Sequence, residues 1–171
     1  LREPIRGLRR AHQLWFVSKD PTLKGLLSPE QQDLQSLLEP HCQRLHAIAP
    51  VSYQAEAFYS LDNGNRVTQE TLAQSPIVLL SGIANPAAFE ALMTHLGLTY
   101  LTHHQYPDHH QYTQQELETL LQRYPRGTRW VTTDKDRVKL QEVLSPSQQA
   151  VFCVLQIRPV FSFDLLREEA V

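Results

Sequence analysis

The segment from Pro76 to Pro159 alternates between short apolar runs and amphipathic stretches, and this alternation constrains the fold more than any other feature. The apolar runs are "IVLLS" (77–81), "LTYLTHHQY" (98–106), "RWVTT" (129–133) and "AVFCVLQI" (150–157). Runs of this length with β-branched residues are typical of buried strands. Strand–helix alternation predicts a mostly parallel sheet with helices on both faces, an α/β fold.

Helix start signals stand between the predicted strands. Asn85 is a suitable N-cap, followed by Pro86 at the first helical position. Thr113 and Glu116 form a capping box before a second amphipathic stretch. The third stretch, "DKDRVKLQEVL", predicts a helix with Val138, Val143 and Leu144 turned inward. These signals support the alternation independently of the strands.

The first third of the chain is less regular, which limits the prediction of domains. A length of 171 residues suits one or two domains. We expect residues 1–60 to form an inter-domain segment with the first strands. We expect residues 61–171 to form an α/β C-terminal domain that carries the polar motifs described below.

Composition narrows the possible partners and surroundings. The net charge is -2, which argues against non-specific binding to nucleic acid. Cys42 and Cys153 are far apart in sequence, which favours a reduced setting over a disulfide framework. No apolar run approaches the ~18 residues that a membrane span needs. We therefore expect a soluble chain. Because it begins at Leu1 rather than at Met, we also expect it to be a fragment.

Three polar segments follow three of the predicted strands. They are "SGIANP" (81–86), "PDHH" (107–110) and "TTDKD" (132–136). In open α/β sheets, ligands bind along the edge formed by the carboxyl ends of the strands. The N-termini of the following helices offer free N–H groups suited to phosphate or carboxylate. The sequence therefore predicts that these three segments converge on one crevice.

Several side chains in these segments are candidates for chemistry. His109 has Asp108 beside it, and a carboxylate can orient an imidazole and raise its basicity. Lys135 and Lys139 lie four residues apart on one predicted helix face, where they could meet an anion. Asn85 offers an amide for binding, or serves only as a cap.

Other polar residues in these segments have structural interpretations. Asp134 and Asp136 suit the first turn of a helix, where a negative charge is favourable. His103 and His104 fall within a predicted strand and would face opposite sides of the sheet. His110 reads as a loop residue. A zinc site finds little support, because no second Cys/His pair completes a ligand set.

Four ordered segments of the chain resemble the tetraacyldisaccharide 4'-kinase (lipid A 4'-kinase) family, specifically its C-terminal half. They are Leu1–Pro4 ("LREP"), Gly82–Pro86 with Phe89 ("GI.NP..F"), Tyr106–His109 ("F.DH"), and Thr133–Asp136 with Val138 and Lys139 ("TEKD.VK"). Tyr106 replaces the usual Phe, and Asp134 the usual Glu. Both replacements keep the chemistry of the position.

The resemblance implies a Rossmann-like C-terminal domain of a P-loop-type kinase. Such an enzyme transfers the γ-phosphate of ATP, with Mg2+, to the 4'-hydroxyl of a tetraacyldisaccharide 1-phosphate in lipid A biosynthesis. It would act as a peripheral protein on the cytoplasmic face of the bacterial inner membrane, with the lipid disaccharide as its acceptor.

The resemblance also implies roles for individual residues. His109, with Asp108, matches the proton-handling histidine of the family. Arg2 becomes a candidate for phosphate contact and Glu3 for magnesium, and Asn85, Lys135 and Lys139 become candidates for substrate or phosphate binding.

The family's P-loop, its catalytic aspartate and its "DDGFQ" segment precede "LREP" and do not occur in these 171 residues. The missing N-terminal half is therefore an expected partner, and we expect the chain alone to be inactive. Two alternatives stay open: a non-catalytic α/β module that binds an anion or lipid, and a metal-dependent phosphoesterase of the Asp-His-His type.

Overall fold

Parallel strand pairs dominate the computed structural model, which describes residues 4–18, 27–45, 47–161 and 164–165. Its strands are β1 (Gln13–Ser18), β2 (Ala47–Ser60), β3 (Arg66–Val67), β4 (Ile77–Ser81), β5 (Thr102–Gln105), β6 (Arg129–Thr133), β7 (Phe152–Phe161) and β8 (Asp164–Leu165). Its α-helices are α1 (Pro29–Leu38), α2 (Gln69–Ala73), α3 (Pro86–His95), α4 (Gln114–Leu121), α5 (Asp134–Val143) and α6 (Pro146–Gln149). Short 3₁₀ helices span Ile5–Arg10 and Glu39–His41.

The chain divides into two units. The first comprises Leu1–Gln54 with Pro159–Val171, and the second comprises Ala55–Arg158. In the first unit, β1 pairs in parallel with β2 and β8 pairs antiparallel with β2. Leu14, Phe16 and Ile48 form its buried apolar cluster.

The second unit carries the strand–helix alternation predicted from the sequence. Strand β4 pairs in parallel with β5 on one side and β6 on the other, and β6 pairs in parallel with β7. The strand order across this unit is therefore β7–β6–β4–β5. The predicted parallel sheet is confirmed, and the carboxyl ends of β4, β5 and β6 lie along one edge.

Alternate residues of these strands pack on opposite faces of the sheet, as the pleat requires. Leu79 and Val131 belong to the cluster that contains Phe89 and Met93 of α3. Their chain neighbours Leu80 and Trp130 belong to the cluster that contains Leu117 of α4 and Leu140 of α5. Helices therefore cover both faces, and the predicted α/β architecture is confirmed.

Two details of the sequence-based prediction are wrong. Strand β5 begins at Thr102, not at residue 98, and Leu101 is exposed. Val138 is 54% exposed, although we expected it to face inward. Asp136 and Leu140 are buried instead. Because residues four apart share a helix face, Val138, two residues from each, points away from the core.

Candidate active site

The three polar segments meet at the carboxyl edge of the sheet around Gly82. The Gly82 N–H donates a hydrogen bond to Oδ2 of Asp136 at 3.0 Å. The Gly82 carbonyl accepts a hydrogen bond from the N–H of His109 at 3.3 Å. Gly82 therefore joins the segment after β6 to the segment after β5, and the predicted convergence is confirmed.

Asp136 is a fully buried carboxylate at the first turn of α5. Its Oδ2 accepts a hydrogen bond from the Thr133 hydroxyl at 2.8 Å, in addition to the one from Gly82. The Nζ of Lys139 lies 3.7 Å from Oδ1, which is an ion pair but longer than a hydrogen bond. Since an unpaired charge in the interior is costly, these three partners explain how the carboxylate is accommodated.

Tyr112 closes the other side of this carboxylate. A Cβ added to Gly82 would lie 3.0 Å from the Tyr112 hydroxyl oxygen and 3.2 Å from Oδ1 of Asp136, so a larger residue here would crowd both groups. Burial, followed by the nearby Asp136 carboxylate, raises the pKa of Tyr112, which therefore stays a neutral phenol. Within the described ranges, neither the Tyr112 hydroxyl nor Oδ1 of Asp136 has a partner at hydrogen-bonding geometry.

His109 occupies a hydrogen-bonded turn. The His110 N–H donates to the Pro107 carbonyl at 3.0 Å, which closes a four-residue turn over Pro107–His110. His109 has a φ of 63°, and it is the one non-glycine residue with positive φ in the described part of the chain. A positive φ at the third position is that of a type II turn, and histidine adopts it more readily than most residues.

The His109 side chain is open to solvent. It is 82% exposed, whereas Asp108 is 35% exposed. Nε2 of His109 lies 3.6 Å from Oδ2 of Asp108, so the carboxylate acts on the ring through charge rather than through a hydrogen bond. This turn therefore presents an imidazole that a substrate can reach, with the Asp108 carboxylate beside it.

His110 anchors this turn to the body of the unit and is not simply the loop residue that the sequence suggested. Its ring stacks on Tyr106, with centroids 4.4 Å apart, and packs edge-on against Tyr112. Its Nε2 lies 3.1 Å from Oε2 of Glu116. Glu116 also completes the predicted capping box with Thr113. The turn that carries His109 is thus held by the hydrogen bond from its backbone to Gly82 and by the side chain of His110.

His103 and His104 point to opposite faces of the sheet, as predicted. His103 is nearly buried and bridges two elements, with Nδ1 2.7 Å from Oε1 of Glu90 and Nε2 2.8 Å from the Ser81 hydroxyl. His104 Nε2 lies 2.7 Å from the Tyr124 hydroxyl, and burial lowers its pKa. Both histidines are structural, and neither lies in the turn that presents His109.

The remaining candidates have varied surroundings. The Asn85 side chain accepts a hydrogen bond from the Ala88 N–H at 3.2 Å and so caps α3, which leaves its amide nitrogen free to donate elsewhere. Lys135 is exposed on the first turn of α5, one turn before the paired Lys139. Arg2 and Glu3 lie outside the residues that the structure describes.

Sequence reasoning missed Tyr112. It placed Asp136 in the third polar segment and in one of the segments that resemble the family, but gave it no role beyond the helix terminus. Tyr112 stands directly before the capping Thr113 and belongs to no motif that we considered. For Asp136, the signal was its place next to Thr133 and Lys135 in the third polar segment. The favourable effect of a negative charge in the first turn of a helix was enough to explain an aspartate at this position, so the contact with Gly82, 54 residues away, was not predicted.

No group of three or more His, Cys, Asp or Glu side chains that could hold a metal occurs in the part of the chain that the structure describes. The described residues therefore offer no cluster of side chains that would hold a metal by itself, and they give no support to a phosphoesterase that uses two metals. The same part of the chain contains no helix with the length and apolar character to cross a membrane.

Comparison with known proteins gives one family. A profile described as "LpxK: Tetraacyldisaccharide-1-P 4'-kinase" matches residues 1–169. The tetraacyldisaccharide 4'-kinase of Anaeromyxobacter dehalogenans (strain 2CP-1) is 34% identical over 149 residues, which cover 84% of this chain and 37% of that protein. That of Rhodospirillum rubrum is 32% identical over 170 residues, covering 98% of this chain and 44% of that protein.

A solved structure shows the same fold. The crystal structure of LpxK from Aquifex aeolicus, described as an "apo" form in complex with ATP, aligns with a TM-score of 0.58 at 18% sequence identity. The alignment covers 95% of this chain and 42% of that one. The chain thus spans less than half the length of these relatives. Because the family profile matches nearly all of its residues, the chain belongs to the tetraacyldisaccharide-1-P 4'-kinase family.

Proposed function

We propose that this chain acts as the C-terminal part of a kinase that transfers the γ-phosphate of ATP to the 4'-hydroxyl of tetraacyldisaccharide 1-phosphate, a step of lipid A biosynthesis. The observation that carries this proposal is the exposed imidazole of His109, held on a turn that hydrogen-bonds to Gly82 of the "GIANP" segment. Two motifs that resemble the family's are thereby brought together at one edge of the sheet.

The reaction gives His109 a defined task. A new bond forms between the acceptor oxygen and the γ-phosphorus, and the bond from that phosphorus to the oxygen of ADP breaks. The acceptor hydroxyl loses its proton, and an imidazole within reach of that hydroxyl can take it. Asp108, 3.6 Å from Nε2 of His109, stabilises the positive charge that the ring then carries.

We assign substrate or phosphate contacts to Arg2, Asn85, Lys135 and Lys139. Asn85 stands at the N-terminus of α3, where the amide nitrogen of its side chain adds a donor to a region that already favours anions. Lys135 is exposed on the first turn of α5, where its ammonium group can reach a phosphate. Lys139 contributes less, because Asp136 already pairs with its charge.

Binding of ATP and Mg2+ needs groups that the described residues do not supply. No metal-binding cluster occurs among them, so the proposed magnesium contact is limited to Glu3, which lies outside that set. The 171 residues also contain no G-x-x-x-x-G-K-[ST] phosphate loop. Since positioning and charge stabilisation carry most of the catalysis in phosphoryl transfer, we propose that the chain alone does not turn over.

The proposed location in the cell follows from the lipid that accepts the phosphate. A tetraacylated disaccharide resides in a membrane, so we propose that the kinase works as a peripheral protein on the cytoplasmic face of the bacterial inner membrane. The lipid acceptor, ATP and the nucleotide-binding part of the same enzyme are its proposed partners.

A phosphotransfer assay on two proteins tests this proposal. One is the 171-residue chain alone, and the other is the polypeptide in which these residues follow the family's nucleotide-binding part, called the complete kinase below. We expect ATP-dependent phosphorylation of tetraacyldisaccharide 1-phosphate by the complete kinase and none by the chain alone.

Turnover by the chain alone would contradict the proposal that catalysis requires the nucleotide-binding part of the enzyme. If the complete kinase binds the lipid in calorimetry but transfers no phosphate, the chain is a non-catalytic binding module instead.

A further inference from the structure

We propose that Asp136 is a positioning residue that holds the His109 turn in place through Gly82. This inference rests on the proposed function, in which His109 takes the proton of the acceptor hydroxyl. Asp136 itself does not touch the substrate in this proposal, because its side chain is fully buried.

The link runs through the two backbone groups of one glycine. Oδ2 of Asp136 accepts the Gly82 N–H at 3.0 Å, and the Gly82 carbonyl accepts the His109 N–H at 3.3 Å. Gly82 follows directly after β4, and a Cβ on it would press against the Tyr112 hydroxyl and Oδ1 of Asp136. The Asp136 carboxylate therefore holds Gly82 in place, and Gly82 in turn holds the His109 turn through its carbonyl group.

A helix-capping role alone does not explain Asp136. The Thr133 hydroxyl already caps α5, and Asp136 stands at the third helical position. In a capping box, the acid at that position accepts the N–H of the cap residue itself. Here the carboxylate accepts the Thr133 hydroxyl and a backbone N–H that lies 54 residues away in the chain. The Asp136 side chain therefore connects the segment after β6 to the segment after β4, in addition to its place at the N-terminal end of α5.

The burial of the Asp136 carboxylate also supports a role at the junction with Gly82. A carboxylate with no exposed surface is costly unless it is paired, and its cation, Lys139, lies 3.7 Å away. A full negative charge strengthens the hydrogen bond from the Gly82 N–H, since charge-assisted bonds are shorter and stronger than neutral ones.

Tyr112 encloses the same junction. Its buried hydroxyl lies beside Oδ1 of Asp136 and the Cα of Gly82, and its ring packs edge-on against His110. It thereby covers the carboxylate on the side of the His109 turn. The Asp136–Gly82 contact is consequently shielded and supports a fixed backbone rather than a mobile loop.

Kinetics of the complete kinase test this inference through a double-mutant cycle between Asp136→Ala and His109→Asn. Misplacing a catalytic group by about 1 Å can cost about 100-fold, so we expect Asp136→Ala to lower kcat by about tenfold or more. The KM for ATP should stay within about threefold, because Asp136 is buried and does not touch the nucleotide in this proposal. In the His109→Asn background, Asp136→Ala should lower kcat by less than about twofold.

Two further readouts separate positioning from general stability. Asp136→Asn keeps an oxygen that can accept the Gly82 N–H, so it should retain clearly more kcat than Asp136→Ala. Hydrogen exchange followed by mass spectrometry should show faster exchange of the peptide covering residues 106–112 in Asp136→Ala. If Asp136→Ala does not fold, Gly82→Ala replaces it in the cycle, because its Cβ crowds the same carboxylate.

The outcomes distinguish this inference from the proposed function. An unchanged kcat in His109→Asn would remove both. A large loss in His109→Asn combined with an equal, additive loss from Asp136→Ala in both backgrounds would remove the positioning role alone. The same holds if Asp136→Asn is no more active than Asp136→Ala, or if exchange of residues 106–112 is unaltered.

Discussion

The backbone N–H of Gly82 donates a hydrogen bond to the buried carboxylate of Asp136, and the two residues are 54 positions apart in the chain. This single contact connects the loop after β4 to the first turn of α5. The other backbone group of Gly82 holds the turn that presents His109. The candidate active site is therefore built around a backbone junction at Gly82.

The space around Gly82 leads to a first prediction. Gly82→Ala should lower the free energy of unfolding by about 1–3 kcal/mol, because the new Cβ would overpack against Tyr112 and Asp136. Urea unfolding of the chain measures this change. Tyr112→Phe removes the nearest atom, so the double variant should recover part of the loss. A double variant no more stable than Gly82→Ala would show that the Tyr112 hydroxyl is not the obstacle.

The cap of α5 leads to a second prediction. Thr133→Ala should lower the free energy of unfolding by about 1–2 kcal/mol, since it removes the cap hydroxyl and a donor to Asp136. Thr133→Ser keeps that hydroxyl and should stay within about 0.5 kcal/mol of the parent. Equal losses in the Ala and Ser variants, measured by thermal unfolding, would argue that the methyl group matters instead of the hydroxyl.

The buried bridge between Ser81, His103 and Glu90 leads to a third prediction. His103→Phe keeps a ring of similar shape but leaves the buried Ser81 hydroxyl without its partner, at a cost of about 1–3 kcal/mol. Adding Ser81→Ala removes the unpaired group, so the double variant should be more stable than His103→Phe alone. Denaturant unfolding of the three variants decides this, and no recovery in the double variant would contradict the account.

His104 leads to a fourth prediction, which concerns pH. Burial, with smaller contributions from Arg123 and His103, lowers the pKa of His104 below 6.5 in the folded chain. As the pH falls below about 6.5, the unfolded chain binds a proton that the folded chain does not, so stability decreases until the pH reaches the folded pKa. Above about 6.5 this contribution is constant.

The measurement is the unfolding midpoint in urea at several pH values between about 5 and 8. His104→Gln should reduce the loss of stability on acidification, whereas the exposed control Gln105→Ala should leave it unchanged. The same pH dependence in His104→Gln and in the parent chain would show that His104 is not responsible.

Local patterns were enough to predict most of the fold of the second unit. Asn85, Thr113 and Thr133 cap helices at the positions that their sequence context indicates. The apolar runs of β4 and β6 are buried on both faces, which is why these runs, alternating with helices, predicted a parallel sheet. The prediction was wrong at Val138, because α5 places Asp136 in the interior and leaves the apolar side chain of Val138 exposed to solvent.

The site was predictable only in part. Its edge follows from topology, since carboxyl ends of neighbouring parallel strands lie together. The pairing of Gly82 with Asp136, and the closing role of Tyr112, depend on contacts between distant parts of the chain. No local pattern encodes such contacts, and a buried aspartate at a helix terminus looks the same in sequence as an exposed one.

The most direct test of the account is the kcat of the complete kinase with His109→Asn. Asparagine tolerates the positive φ of this position, so the variant removes the imidazole and keeps the turn. His95→Asn, at an exposed histidine in the last turn of α3, is the matched control. We predict that His109→Asn lowers kcat by about 100-fold or more while the KM for ATP stays within about threefold. A kcat within about threefold of the parent enzyme would contradict the proposed role of His109.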